Sequence, residues 1–487
     1  MTELTAADVL AGVPTGLLIA GAWRPAADGA TFEVENPADR SALTEIADAG
    51  AADAAAAFDG VCTAQTSWAA TAPRQRAEIL RATYDAMIER IEELALLVTL
   101  EMGKPLAEAR NEVRYAAEFF RWFGEEAVRI RGTWGRSPAG DARIVTHRVP
   151  IGPCLFITPW NFPLAMGARK IAPAVAAGCT MVVKAAQQTP LSMNVLVQIM
   201  IDAGLPPEVV SVLSTSSAGA VVEPLMSDRR LRKLSFTGST EVGRVLARQG
   251  AENLLRLSME LGGNAPLIVF DDADLELAIE QTMIAKLRNM GESCIAANRI
   301  YVHRPVLEEF SAGLAERMRA TTVGAGTDPA TEIGPLIDDR QRTVVAGLVA
   351  DAVERGAEVL SGGFAPDLPG YYWTPTVLSG VDPAARVHNE EIFGPVAPLY
   401  PFDTEDDALD LANSSPFGLV SYVFTEGLNR ANRVTERLET GMVGVNRGLV
   451  SEPAAPFGGV KWSGIGREGG HEGLAEYLET KYVSLQG

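Results

Sequence analysis

Four short segments hold side chains whose types and spacing suit covalent chemistry. Cys294 lies in GESCIAANR, residues 291–299. A free thiol has a pKa of about 8.5, so at neutral pH it needs a base, a cation or a helix N-terminus to act as a nucleophile. Most lone cysteines are small buried hydrophobes. Glu260, in MELGG at 259–263, stands beside two glycines and ahead of the apolar run LIVF. Its carboxylate can meet a ligand that approaches the glycine backbone closely, although a solvated turn glutamate would look the same. Asn161, in PWNFP at 159–163, lies in a loop stiffened by two prolines. Its amide suits a rigid donor as well as plain turn chemistry. FTGSTEVG at 236–243 follows a strand pattern and opens a helix, so a cofactor can lie against Gly238 and the helix N-terminus. Arg169 lies six residues after Pro163, and Arg288 six residues before Cys294. Arginines are ordinarily exposed, but two facing one cavity would receive an anion.

Such groups need a scaffold, and the pattern supplies one. RQRAEILRATYDAMIERIEELALLVTLEMG, within residues 74–123, has helical spacing of apolar residues and breaks at Gly103 and Pro105. From residue 152 the short apolar runs CLFITPW, CTMVVK, VVSVLS and LRKLSF alternate with helical stretches. Thr189–Pro190 is expected to start a helix that stops at Gly204, with the threonine hydroxyl as cap. LIVF at 267–270 leads to Asp271, Asp272 and Asp274, another helix start. NRIYVH, AEVLSGG, PVAPLYPF, LVSYVF and MVGVN continue the alternation. The fold class expected is α/β, with two doubly wound domains. Residues 1–127 and 152–266 would form the nucleotide-binding domain and 267–470 the second domain. Residues 128–151 and 471–487 read as extra strands outside both, whose exposed edges invite pairing with another subunit.

Composition narrows the classes of function. The chain has 487 residues, 47% of them apolar and 21% charged, which is ordinary globular composition. Its net charge of −20 disfavours nucleic acid. Cys62, Cys154, Cys179 and Cys294 show no CxxC spacing, and His147, His303, His388 and His471 are scattered, so no metal site is expected. So few thiols fit a reducing compartment. MTELTAADVL lacks the basic and apolar regions of a signal peptide, and the apolar stretch 152–168 is broken by prolines. A cytoplasmic protein without membrane partners is expected.

Each motif alone is ambiguous, but together and in this order they are specific. PWNFP, FTGST, MELGGNAP, the GxxC before Cys294, EEIFGPV at 390–396 and PFGGVKWSG at 456–464 make the chain similar to the aldehyde dehydrogenase superfamily over nearly its whole length. Its nearest resemblance is to the succinate-semialdehyde dehydrogenase branch. The resemblance implies that Cys294 attacks an aldehyde carbonyl, with Asn161 and the Cys294 N–H holding the oxyanion. Hydride transfer to a nicotinamide leaves a thioester, which water activated by Glu260 hydrolyses. Glu391 and Phe393 would position the nicotinamide ribose and Lys184 the adenosine ribose. Thr158, Pro159, Trp160, Gly238 and Ser239 would line the cofactor channel. AMGARK and KLRNMGESC would place Arg169 and Arg288 on a substrate carboxylate, assisted by Ser451.

Departures from the family pattern sharpen these expectations. KAAQQTP at 184–190 has Gln187 where relatives often carry a glutamate on the ribose hydroxyls. Loss of that charge removes repulsion from a 2′-phosphate, so NADP is expected to be accepted and preferred over NAD. Ala185 replaces a proline, and Ser216 and Val222 replace glycines, with Val222 expected to narrow the adenine side. Glu292 replaces a glutamine and is expected to point away from the thiol. Cys294 is followed by Ile295 and Ala296, so no CxC disulfide can form there. The expected reaction is oxidation of succinate semialdehyde with NADP or NAD. The alternatives are a glutarate-semialdehyde or broad aliphatic dehydrogenase, and, more remotely, a catalytically silent binding or structural relative. The outer strands resemble the family's oligomerisation ribbon, which implies a homodimer or homotetramer.

Overall fold

The PWNFP, FTGST and MELGG segments all leave strands of one sheet. The computed structural model describes residues 4–486. That first sheet has eight strands. Its centre is parallel, in the order Val210–Leu213, Met181–Lys184, Cys154–Ile157, Lys233–Thr237, Arg256–Glu260. The first four of these strands are buried along their whole length. Burial on both faces explains why they read as apolar runs rather than as alternation.

The chain winds outward from Cys154–Ile157 through Met181–Lys184 to Val210–Leu213, then crosses back to Lys233–Thr237 and Arg256–Glu260. The winding therefore reverses between Cys154–Ile157 and Lys233–Thr237. A crevice opens beyond the carboxyl ends of such a pair, where ligands of doubly wound sheets bind. Pro159–Asn161 leave one of these strands and Gly238–Ser239 the other.

The edges of this sheet come from distant sequence. The hairpin of Leu17–Ile19 and Ala22–Arg24 closes one side. Gly464–Ile465 pairs antiparallel with Met259 and Glu260 on the other, so a segment expected in the second domain completes the first sheet. A Cβ on Gly464 would lie 1.9 Å from the Met259 carbonyl oxygen, so only glycine permits this approach.

The second sheet has seven strands, in the order Glu358–Ser361, Thr376–Ser379, Val396–Phe402, Ala297–His303, Ala265–Val269, Val420–Phe424, Met442–Val445. All its neighbours are parallel except the first pair. A third sheet joins Leu478–Gln486, Ala142–Pro150 and Trp134–Arg136, all antiparallel.

Helices Pro73–Glu89, Ile91–Met102 and Leu106–Ala127 fill the region read as helical, and Gly103 ends the second in a left-handed conformation. Helix Ala165–Ala177, which carries Arg169, is buried at every residue. Helix Leu191–Asp202 corrects the expected cap. Pro190 is its flanking residue, and the Glu101 carboxylate accepts the N–H groups of Leu191 and Ser192 at 2.8 and 2.9 Å. The Thr189 hydroxyl donates instead to the Trp160 carbonyl at 3.3 Å. Among the described residues, no helix is long and apolar enough to cross a membrane.

Candidate active site

Cys294 sits between the tight turn Arg288–Gly291 and strand Ala297–His303 of the second sheet. Asn289 and Met290 turn the chain with left-handed backbone, φ 57° and 55°. A Cβ on Gly263 would lie 2.2 Å from the Cys294 carbonyl oxygen, so the MELGG backbone is pressed against the Cys294 segment. The thiol lines a cavity of about 290 Å³ that Asn161 and Glu260 also line. Burial pushes it up to about 12, assisted by the Glu391 and Glu260 carboxyls and opposed by Arg169 and Arg288. The resting thiol is thus protonated at neutral pH.

Glu260 ends the strand beside Gly464, the residue 3% exposed and its Oε2 without a hydrogen-bond partner among the described residues. Burial raises it well above the usual carboxylate range, and the neighbouring Glu468 raises it further, against Arg169, Lys170 and Arg467. Burial also pushes Glu468 upward, but the Lys170 and Arg169 cations outweigh this and hold it below that range. Lys170 donates to Glu468, to Thr237 at 2.7 Å and to Ser235 at 3.1 Å. Two carboxyls, Glu260 and Glu468, thus share one buried region with the basic side chains of Arg169, Lys170 and Arg467.

The Asn161 amide donates from Nδ2 to the Glu292 carbonyl at 3.0 Å. Nδ2 carries two protons, so one remains for a ligand. Glu292 turns its carboxyl the other way, with Oε1 accepting the Ile337 N–H at 3.0 Å.

Pro159, Trp160, Gly238, Ser239, Glu391 and Phe393 also line the cavity. Trp160 and Phe393 meet edge to face at 5.4 Å. Phe393 is held with φ 50°, while its carbonyl accepts from Gln341 Nε2 at 2.8 Å. Glu391 accepts the Gly263 N–H at 3.1 Å, and burial pushes its carboxyl up to about 7. Ser239 caps helix Thr240–Glu252 through the Val242 N–H. Thr158, Lys184 and Gln187 lie outside this lining. Thr158 donates its N–H to the Lys184 carbonyl at 3.2 Å, which places both at the carboxyl edge of adjacent strands. Burial pulls the Lys184 ammonium down to about 8. Gln187 is exposed. Ser216 is tied to Asp48 through its N–H and hydroxyl, and Val222 is buried in an apolar cluster with Val221 and Leu225.

Arg169, Arg288 and Ser451 line the same cavity. The two arginines differ. Arg169 is 1% exposed, its Nε pairs with Glu468 at 3.2 Å, and its face lies 4.0 Å from the Phe457 ring. The Arg288 guanidinium stacks on Phe162 at 4.7 Å and makes no hydrogen bond or ion pair among the described residues. Arg288, Ser451, Tyr115 and Phe162 also line an adjoining cavity of about 510 Å³.

The sequence profile described as the aldehyde dehydrogenase family matches residues 23–483. The chain belongs to the aldehyde dehydrogenase family. A succinate-semialdehyde dehydrogenase of Paenarthrobacter nicotinovorans is 55% identical over 443 residues, covering 91% of this chain and 98% of that protein. A glutarate-semialdehyde dehydrogenase of Pseudomonas aeruginosa is 46% identical over 467 residues, covering 96% of each. The crystal structure of an E. coli NADP dependent enzyme superposes with a TM-score of 0.97 at 45% identity, covering 100% of both chains.

This aldehyde dehydrogenase site includes groups that sequence reasoning misses. Glu468 is one, since its partner Lys170 is 298 residues away and no local pattern announces the pair. Lys170 directly follows Arg169, but nothing in AMGARK separates a buried cation from an exposed one. Tyr115 is half-buried on helix Leu106–Ala127, and its hydroxyl accepts from Arg169 Nη2 at 3.4 Å. Asn289 could have been singled out, because asparagine is enriched in left-handed turns.

Proposed function

We propose that the protein oxidises succinate semialdehyde to succinate, accepting NADP and preferring it to NAD. The observation that carries the reading is Arg288. Its guanidinium lacks a protein acceptor in the cavity that holds Cys294, Glu260 and Asn161. A guanidinium without a hydrogen-bond acceptor beside a nucleophile suits an aldehyde with a carboxylate at its far end. The Paenarthrobacter relative carries the matching activity in its name.

The Cys294 sulfur adds to the aldehyde carbon while its proton leaves to solvent. The new oxyanion receives the free Asn161 N–H and the Cys294 backbone N–H. A bound nicotinamide supplies the acceptor for the hydride lost from this adduct, and Glu391, Phe393, Trp160 and Gly238 would hold it. The crevice fits such a group, because it opens at the winding reversal beside a helix N-terminus. Glu260 then takes a proton from water, whose oxygen attacks the thioester carbon and releases the acid and the Cys294 thiol. A carboxyl raised by burial is a stronger base once ionised. Arg169 and Arg288, with Ser451, hold the far carboxylate, and Arg169 contributes the edge left free by Glu468.

Lys184 and the uncharged Gln187 support NADP, since a nearby carboxylate would repel a 2′-phosphate. The third sheet supports a homodimer or homotetramer, through its exposed outer strand. A second reading, glutarate semialdehyde, is favoured by the room beyond Arg288 in the adjoining cavity. One methylene is worth only about 1–3 kcal/mol.

Initial rates of cofactor reduction test the proposal, with both semialdehydes, butanal, and NADP or NAD. Arg288→Ala is expected to raise KM for succinate semialdehyde ~10–100-fold, the worth of a charged hydrogen bond at about 1.5–3 kcal/mol. It should leave butanal nearly unchanged. Equal losses on both substrates would refute the carboxylate clamp, and a strong NAD preference would refute the cofactor reading.

A further inference from the structure

The two donors assigned to the oxyanion come from different sheets. Asn161 follows strand Cys154–Ile157 of the first, and the Cys294 N–H precedes strand Ala297–His303 of the second. Something must fix their separation, because donors misplaced by a fraction of an ångström lose most of their value. One side chain bonds to both segments. Asn289 Nδ2 donates to the Asn161 carbonyl at 3.0 Å and to the Glu292 carbonyl at 2.9 Å. The Glu292 carbonyl is also the oxygen that receives the Asn161 amide.

Asn289 is itself held firmly. It is fully buried, its backbone is left-handed at φ 57° and ψ 40°, and its N–H donates to Glu108 at 2.6 Å. Lys104 adds a second tie, donating from Nζ to the Asn161 carbonyl at 2.9 Å while paired with Glu112. Glu112 in turn accepts the N–H groups of Leu164 and Ala165 at the end of the same loop.

We infer that Asn289 is the positioning residue of the oxyanion site: its amide locks the Asn161 loop to the Cys294 segment at the separation the tetrahedral adduct requires. The inference rests on the reading of Asn161 as an oxyanion donor. Asn289 lines neither the catalytic cavity nor the adjoining one, so its effect must pass through Asn161 and Cys294.

A double-mutant cycle tests this on the full-length enzyme, with butanal and succinate semialdehyde at saturating NADP. Asn289→Gly removes the amide and keeps the left-handed backbone unstrained. It is expected to lower kcat ~10–100-fold, within the ~10²–10³-fold that loss of an oxyanion donor costs. KM should move far less, and both aldehydes should respond alike. In an Asn161→Ala background the same substitution should change kcat less than ~3-fold, because coupled residues are not additive. Equal losses in both backgrounds would overturn the inference while leaving the Asn161 role intact. An Asn161→Ala enzyme with near-parental kcat would overturn that role and the inference with it. Should the glycine variant not fold, Asn289→Asp keeps the shape and tolerates the turn but sets an oxygen against both carbonyls. It must show the same fall in kcat and the same dependence on Asn161.

Discussion

The Glu292 carboxyl lies fully buried two positions before Cys294, yet it faces the Ile337 N–H and leaves the thiol alone. Burial raises it well above the ordinary carboxylate range, Asp338 adds to the rise, and the Ile337 N–H and Lys104 oppose it. A protonated carboxyl there has nearly the shape of a glutamine side chain. The folded pKa exceeds the unfolded value of about 4.3, so the protonated form stabilises the fold. That contribution is fully present below the unfolded pKa and is lost as pH rises toward the folded one. Glu292→Gln removes the loss. Its thermal midpoint is expected to match the parent near pH 4.5 and to exceed it increasingly up to pH 8, by calorimetry in matched buffers. A gap that stays flat across this range would show that Glu292 is not held neutral. At this scale, sequence reasoning singled out Cys294, Glu260, Asn161 and Arg288, which line one cavity, because each lies in a short motif whose glycines, prolines or charges are visible locally. It missed Glu468, whose meaning comes from a lysine on a distant helix.

The helices and loops around the site hold one another's ends. Thr189 and Pro190 look like a sufficient helix start, yet Glu101 on another helix supplies the cap of Leu191–Asp202. Threonine is free to choose another partner when a better acceptor arrives from outside, and no local pattern shows that arrival. The parallel strands were legible because burial on both faces forces apolar runs. Gly464–Ile465 was not, since a two-residue strand carries no periodicity and its role follows from the closeness of Met259. The Glu101 cap stands just beyond the loop from Lys184 to Thr189, which we assign to the adenosine end of the cofactor. Glu101→Ala orphans two buried N–H groups and is expected to cost about 1–3 kcal/mol. Because the loop leads into that helix, KM for NADP should rise while kcat at saturating cofactor holds. An unchanged KM in a destabilised variant would separate the cap from the cofactor loop.

The eight-stranded and seven-stranded sheets that position the site are both formed by strands of one chain. The third sheet is different. Leu478–Gln486 pairs along its length with Ala142–Pro150 on one side, while its other edge has no strand beside it among the described residues. Tyr482 is 59% exposed and Trp134 68% exposed on the same small sheet. A long regular edge with exposed aromatic rings is a hazard for a monomer and an invitation to a second copy. We therefore expect the parent to sediment as a dimer or tetramer at micromolar concentration. The paired substitutions Tyr482→Lys and Leu485→Lys place charges along the outer strand, far in sequence from Asn161, Glu260 and Cys294. They should shift the sedimenting mass toward the monomer, most strongly at low salt, where like charges repel over longer distances. Activity per chain should survive in whatever monomer remains folded, because Asn161, Glu260 and Cys294 all come from one chain. A parent that is monomeric at every concentration, or a double variant whose mass does not change, would exclude this strand as the interface.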